Sequence, residues 1–148
     1  MGTYTSILYQ VVFSTKYRKP TLLKTIRPDL FNYMGSILTN KKCRSYAVGG
    51  VDDHVHLVFS LHPTVALSDL VKSIKVASSI WMKEHTVRND FKSWQVGYGA
   101  FTYSSEALET LKKYVAKQEE HHKKQSFREE YIGLLEELEV EFEERFLF

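Results

Sequence analysis

The sequence predicts an α+β fold in which an antiparallel sheet is backed by helices. Three observations carry this expectation. Segments of period two and segments of period 3.6 follow one another in the order β-α-β-β-α-β, with further helices behind them. The first strand is apolar on much of both faces. The three prolines, Pro20, Pro28 and Pro63, sit only where one element should give way to the next.

The elements read in order as follows. Tyr4 to Ser14 is rich in β-branched and aromatic residues, with Ile7, Tyr9, Val11 and Phe13 on one face and Leu8 and Val12 on the other. The loop STKYRKP follows it. Arg27 to Lys41 reads as a helix that tolerates Pro28 in its first turn, with Leu30, Phe31, Met34, Ile37 and Leu38 as its apolar stripe. Ser45 to Val51 and His54 to Leu61 read as a hairpin, with Gly49-Gly50 marking a turn or bulge. A second helix spans about Leu67 to His85, with Thr64 or Ser68 near its start. Trp94 to Tyr103 reads as the fourth strand. From about Ser105 a third helix runs through Leu108, Leu111, Tyr114 and Val115 to Gln118. Ser126-Phe-Arg-Glu129 matches a capping box that opens a last helix bearing Tyr131, Leu134, Leu135 and Leu138.

This order is the ferredoxin-like (RRM-like) pattern, with two helices on one sheet face and the other face left for a third helix, a ligand or a partner. The 148 residues suit one domain, with a core of about 4–124 and an acidic helical extension of about 126–148. No apolar run approaches the length needed to cross a bilayer, and the start lacks the pattern of a signal peptide. Cys43 alone excludes an internal disulfide framework and fits a reducing cytoplasm; it reads as a small residue at a helix end. The net charge of +2 hides an asymmetry: Arg128 to the end carries −6, and the body before it +8. A basic body suits a polyanionic partner, or is simply a solvated surface.

Two constellations carry chemistry. On a strand, His54 and His56 point to one face, where two imidazoles can share a divalent metal, while Val55 and Leu57 enter the core. Asp53 is out of phase with them and fits a supporting bond or a turn cap. On a helix, Tyr114 and Gln118 are neighbours on one face. Each pattern alone also fits chance histidines, a core tyrosine and a solvated glutamine. Together they describe a phosphoryl-transfer site. The metal offsets charge on the phosphate, and the phenol attacks to form a covalent intermediate. A phenol with a pKa near ~10 needs help to lose its proton, and the side-chain carbonyl of Gln118 is a sensible third ligand.

At this point the motifs show a resemblance. DDHVHLVFS resembles the HUH motif, and YVAKQ resembles the tyrosine-x-x-x-glutamine motif of the single-tyrosine transposases, which include the REP-associated enzymes. YQVVFSTKYRKP, SDLVKSIKVASS and WQVGYGAFTYS are similar to other segments of that family, so the likeness spans about Tyr4 to Lys124. It implies that His54, His56 and Gln118 bind Mg²⁺ or Mn²⁺ and that Tyr114 is the nucleophile. The tyrosine would be joined to the 5′ phosphate of the cut, leaving a free 3′-OH. It further implies a homodimer and a single-stranded DNA substrate folded into a hairpin.

Other residues have two readings each. Lys16, Arg18 and Lys19 could contact phosphates and Tyr17 could stack on a base, or all four could form a solvated loop. Lys72 and Lys75 are phosphate contacts or plain helix-surface charge. Trp94 and Tyr98 favour packing over base stacking. His121 and His122 could reach the metal or DNA if the helix continues, and otherwise form a solvated helix end. Tyr131 reads as core, and the acidic segment should stay off the DNA path. The rival functions are a domesticated relative acting on host repeats, a non-catalytic nucleic-acid-binding module and a water-using phosphodiesterase.

Overall fold

A computed structural model of the chain describes residues 2–86 and 90–147. Four strands form one antiparallel sheet: β1 (Leu8–Ser14), β2 (Arg44–Gly50), β3 (His54–Ser60) and β4 (Gly99–Tyr103), in the order β2-β3-β1-β4. This is the ferredoxin-like arrangement the sequence predicts. The helices α1 (Arg27–Asn40) and α2 (Leu67–His85) cover one face. The other face carries α3 (Leu108–Ala116), the one-turn α4 (Gln118–His121) and α5 (Phe127–Glu137).

Period-two alternation assigns each strand residue to a layer. Val11, Phe13, Val55, Leu57 and Phe59 pack beneath Leu30, Met34 and Leu38 of α1 and Leu70, Val71 and Ile74 of α2. On the opposite face, Val12 and Phe101 receive Phe127, Tyr131 and Leu135 of α5, while Leu8 and Val58 receive Leu111 and Val115 of α3. Full burial of each such side chain is worth roughly 1.5–3 kcal/mol, so the three anchors of α5 hold it down although its outer face is acidic. The N-cap half of the capping box is formed, with Ser126 Oγ accepting from the Glu129 amide at 3.2 Å, while the Glu129 carboxylate accepts from the Ser126 hydroxyl.

The structure departs from the sequence reading at several element boundaries, beginning with the first strand, which starts at Leu8 and not at Tyr4. The fourth strand begins at Gly99, not at Trp94. Gly97 has φ +90 and turns the chain out of the ladder, leaving Trp94 in an isolated bridge with Thr15. Gly49-Gly50 ends β2 at the turn into β3, as read, and a bulge lies earlier, between Ser45 and Ala47. Thr64 and Ser68 lie near the start of α2, as read, and its N-cap is Ala66. The third helix stops at Ala116, because Lys117 (φ −101, ψ 20) leaves the helical region before α4 resumes. Cys43 is buried just past the end of α1, as expected.

Candidate active site

Strand register builds the site. His54 pairs with Ser14, and His56 pairs with Val12 on one side and Gly49 on the other. Both imidazoles therefore face α3 and α5, and both are fully buried. Gly49 matters here through close approach. A Cβ at that position would lie 2.7 Å from Val115 Cγ1 and 2.9 Å from Val115 O, so α3 rests directly on the sheet backbone beside His56. That seating brings the Tyr114 ring to 5.6 Å from the His56 ring.

Each imidazole is oriented from behind. His54 Nδ1 donates to Asp53 Oδ1 at 2.6 Å, the supporting bond foreseen for Asp53. His56 Nδ1 donates to Gln10 Oε1 at 2.8 Å, and the Gln10 amide nitrogen donates to Tyr103 Oη at 2.9 Å. These bonds leave the Nε2 atoms turned inward. His54 Nε2 lies 3.0 Å from Gln118 Oε1. Two imidazole nitrogens and an amide oxygen in a buried pocket are a donor set that suits a divalent cation.

One residue was not foreseen. Glu130 of α5 sits at the centre, with its Oε1 3.2 Å from His54 Nε2, 3.0 Å from His56 Nε2 and 3.2 Å from His122 Nε2. Its other oxygen accepts from Tyr114 Oη and, at 3.1 Å, from Gln118 Nε2. Tyr114 and Gln118 are therefore neighbours as expected, with the carboxylate bridging them. The acidic segment packs on the sheet through α5 and brings this one carboxylate to the histidines. The signal was present: Glu130 falls in the apolar stripe formed by Phe127, Tyr131, Leu134 and Leu138, where a charge is out of place. Gln10, between Leu8 and Val12 on one face of β1, carries the same kind of signal.

The electrostatics follow from burial and Glu130. Burial disfavours a charged His54, but hydrogen bonds and charge from Asp53 and Glu130 outweigh it and raise its pKa to about 9. Burial holds His56 below its ordinary value. Burial also works against an ionised Glu130, yet hydrogen bonds from His122, His54 and His56 hold it far below the usual carboxylate range. Burial and the Glu130 carboxylate push the Tyr114 phenol well above its ordinary value. A pocket this negative retains a proton on His54 and would retain a cation equally well.

The remaining candidates divide. His122 joins the cluster, 3.1 Å from Gln118 Oε1, so the solvated helix end expected there is corrected. His121 lies against the Tyr114 ring at 4.9 Å. Lys16, Tyr17 and Arg18 form a 3₁₀ turn followed by Lys19, and Tyr17 is exposed with the Lys16 ammonium 5.4 Å from its ring. This turn is tied to the histidine strand by the Thr15 amide, which donates to Asp53 O at 2.8 Å. Lys72 and Lys75 lie on α2, across the sheet from the histidines. Lys72 is exposed. Lys75 is half-buried, and its ammonium donates to Gln95 O and Gly97 O. Trp94 packs, donating to Ser78 Oγ at 3.0 Å, and Tyr131 is core.

Fold and motifs together define a transposase of the single-tyrosine HUH class. A sequence-family model described as IS200-like transposase matches residues 3–118, and the chain belongs to that family. It is 26% identical over 117 residues to the ISDra2 transposase TnpA of Deinococcus radiodurans, covering 74% of this chain and 82% of that protein. A transposase crystal structure from Deinococcus radiodurans R1 shares the fold at a TM-score of 0.61 and 24% identity, over 80% of this chain and 96% of that one. So does a REP-associated tyrosine transposase bound to a REP hairpin, at a TM-score of 0.60 and 14% identity, over 82% of this chain and 74% of that one. The family match ends at Gln118, so α5 and Glu130 lie beyond it. Among the described residues, no helix is long and apolar enough to cross a membrane.

Proposed function

We propose that this transposase cuts and rejoins single-stranded DNA through a covalent bond between Tyr114 and the 5′ phosphate at the cut. The observation that carries this reading is the convergence of Tyr114, His54, His56 and Gln118 in one buried cluster within a single chain. His54, His56 and Gln118 would hold Mg²⁺ or Mn²⁺. When bound, such an ion polarises the scissile phosphate, offsets its growing negative charge and favours loss of the phenol proton.

The residues of the chain do the rest. Tyr114 attacks the phosphorus, the bond to the 3′ oxygen breaks, and that oxygen leaves as a hydroxyl. The same hydroxyl, or another, can later attack the phosphotyrosine and release Tyr114, so rejoining needs no external energy source. Asp53 and Gln10 keep the two imidazoles in the tautomer whose Nε2 faces the site. Lys16, Tyr17, Arg18 and Lys19 would follow a single strand, combining charge with an exposed ring. Hairpin-bearing DNA at an element's end, a homodimer and a cytoplasmic location complete the reading, all in keeping with the family.

The test mixes purified protein with Mg²⁺ or Mn²⁺ and labelled single-stranded oligonucleotides from the flanks of its own gene. A metal-dependent, slow protein–DNA band on a denaturing gel, absent with Tyr114→Phe and with duplex, is the expected result. Cleavage that survives Tyr114→Phe would indicate a water-using nuclease, and binding without cleavage would indicate a binding module.

A further inference from the structure

We infer that Glu130, carried by α5 from beyond the family-matched span, is a fourth protein ligand of the metal held by His54, His56 and Gln118. This rests on the metal-binding reading above and adds to it a carboxylate that the two sequence motifs do not contain.

The first argument is a count of donors and acceptors. His54 Nδ1 donates to Asp53 and His56 Nδ1 donates to Gln10, so each imidazole, once neutral as a metal ligand must be, presents a lone pair at Nε2. Those lone pairs face Gln118 Oε1 and Glu130 Oε1, which are also acceptors, across 3.0–3.2 Å. A proton held on His54 can satisfy only part of this set, whereas a divalent cation in its place makes all four contacts favourable. His122 is the member that can donate to Glu130 Oε1 while the metal is away, at 3.2 Å and with its side chain 11% exposed.

The second argument is spacing. An octahedral ion with bonds of about 2.1 Å has adjacent ligands about 3.0 Å apart. The three close pairs, His54–Gln118 at 3.0 Å, His54–Glu130 at 3.2 Å and His56–Glu130 at 3.0 Å, match that edge. The third argument is charge. Two neutral imidazoles and an amide leave a buried divalent ion uncompensated, which is costly. Among the described residues, Glu130 is the one carboxylate classed as buried. It is also held rigidly, since Phe127 and Tyr131 beside it on α5 are anchored in the second core.

The test titrates metal-stripped full-length protein with MnCl₂ by calorimetry, after circular dichroism has verified the fold of each variant. Wild type should bind, and His56→Asn should lose binding. Glu130→Gln should bind roughly ten- to a hundredfold more weakly, the range seen when a supporting group of a metal site is removed. Glu130→Asp, which keeps the charge but withdraws the oxygens, should also bind more weakly and serves where Glu130→Gln does not fold. Unchanged affinity in either folded variant overturns the inference while leaving the His54–His56 site intact. Tighter binding by Glu130→Gln also overturns it, showing that the carboxylate plugs the site. No binding by wild type overturns the inference together with the metal reading beneath it.

Discussion

His54 shows how much one supporting contact decides. Its Nδ1–H is taken by Asp53 at 2.6 Å, which turns Nε2 inward. Asp53→Ala frees the ring to rotate and to change tautomer. Mn²⁺ affinity should fall about tenfold or more, with little change in thermal stability because Asp53 is only partly buried. Calorimetry beside a thermal melt checks this, and unchanged affinity would mean that the ring is held by packing against Phe127. The residues of this kind were unevenly legible. His54, His56, Tyr114 and Gln118 follow from strand and helix periodicity, because side-chain direction there depends only on spacing. Glu130 was hidden among eight acidic residues of the last segment, and only its place in an apolar stripe set it apart. His122 was within reach by helical spacing and Gln10 stood out as a polar residue on an apolar strand face, but the partners each one finds depend on contacts made across the fold.

At the scale of elements, the site is an agreement between β2, β3, α3 and α5. Gly49 lets α3 lie on the sheet next to His56, and no larger residue fits there. Gly49→Ala should push α3 outward, costing about 1–3 kcal/mol of stability. It should reduce strand cleavage far more than that loss explains, because Tyr114 moves with α3 and Gln118 follows it on α4. Thermal unfolding and single-turnover cleavage on the same preparation separate the two effects, and a stability loss without a cleavage defect would count against this role. The reach of α1 and α2, and the start of α5, were legible from apolar periodicity and the capping box. The late start of β4 and the break at Lys117 were not. The first depends on the left-handed Gly97 and the second on a local change of backbone angle, neither of which alters the hydrophobic pattern.

The whole molecule divides its charge. The segment from Arg128 onward carries −6 against +8 for the body, and among the described residues Glu130 is the one acidic residue of that segment drawn into the histidine cluster. Glu136, Glu137, Glu139 and Glu141 remain exposed and repel a polyanion at long range. Replacing these four by glutamine should tighten binding of single-stranded DNA at low salt and leave cleavage chemistry unaltered. The gain should vanish as the Debye length falls from ~10 Å at 0.1 M salt to ~3 Å at 1 M. Fluorescence anisotropy across a salt series reads this out, and a gain that persists at high salt would point to direct contact between the segment and DNA.

The central claim is that Tyr114 becomes covalently joined to DNA. The measurement that tests it most directly traps the product with single-stranded flank DNA and Mn²⁺, digests both polymers and maps the modified peptide by mass spectrometry. The account predicts a phosphonucleotide on Tyr114 and none on Tyr103 or Tyr131. A nucleotide on another residue, or cleaved DNA with no modified peptide, would contradict it.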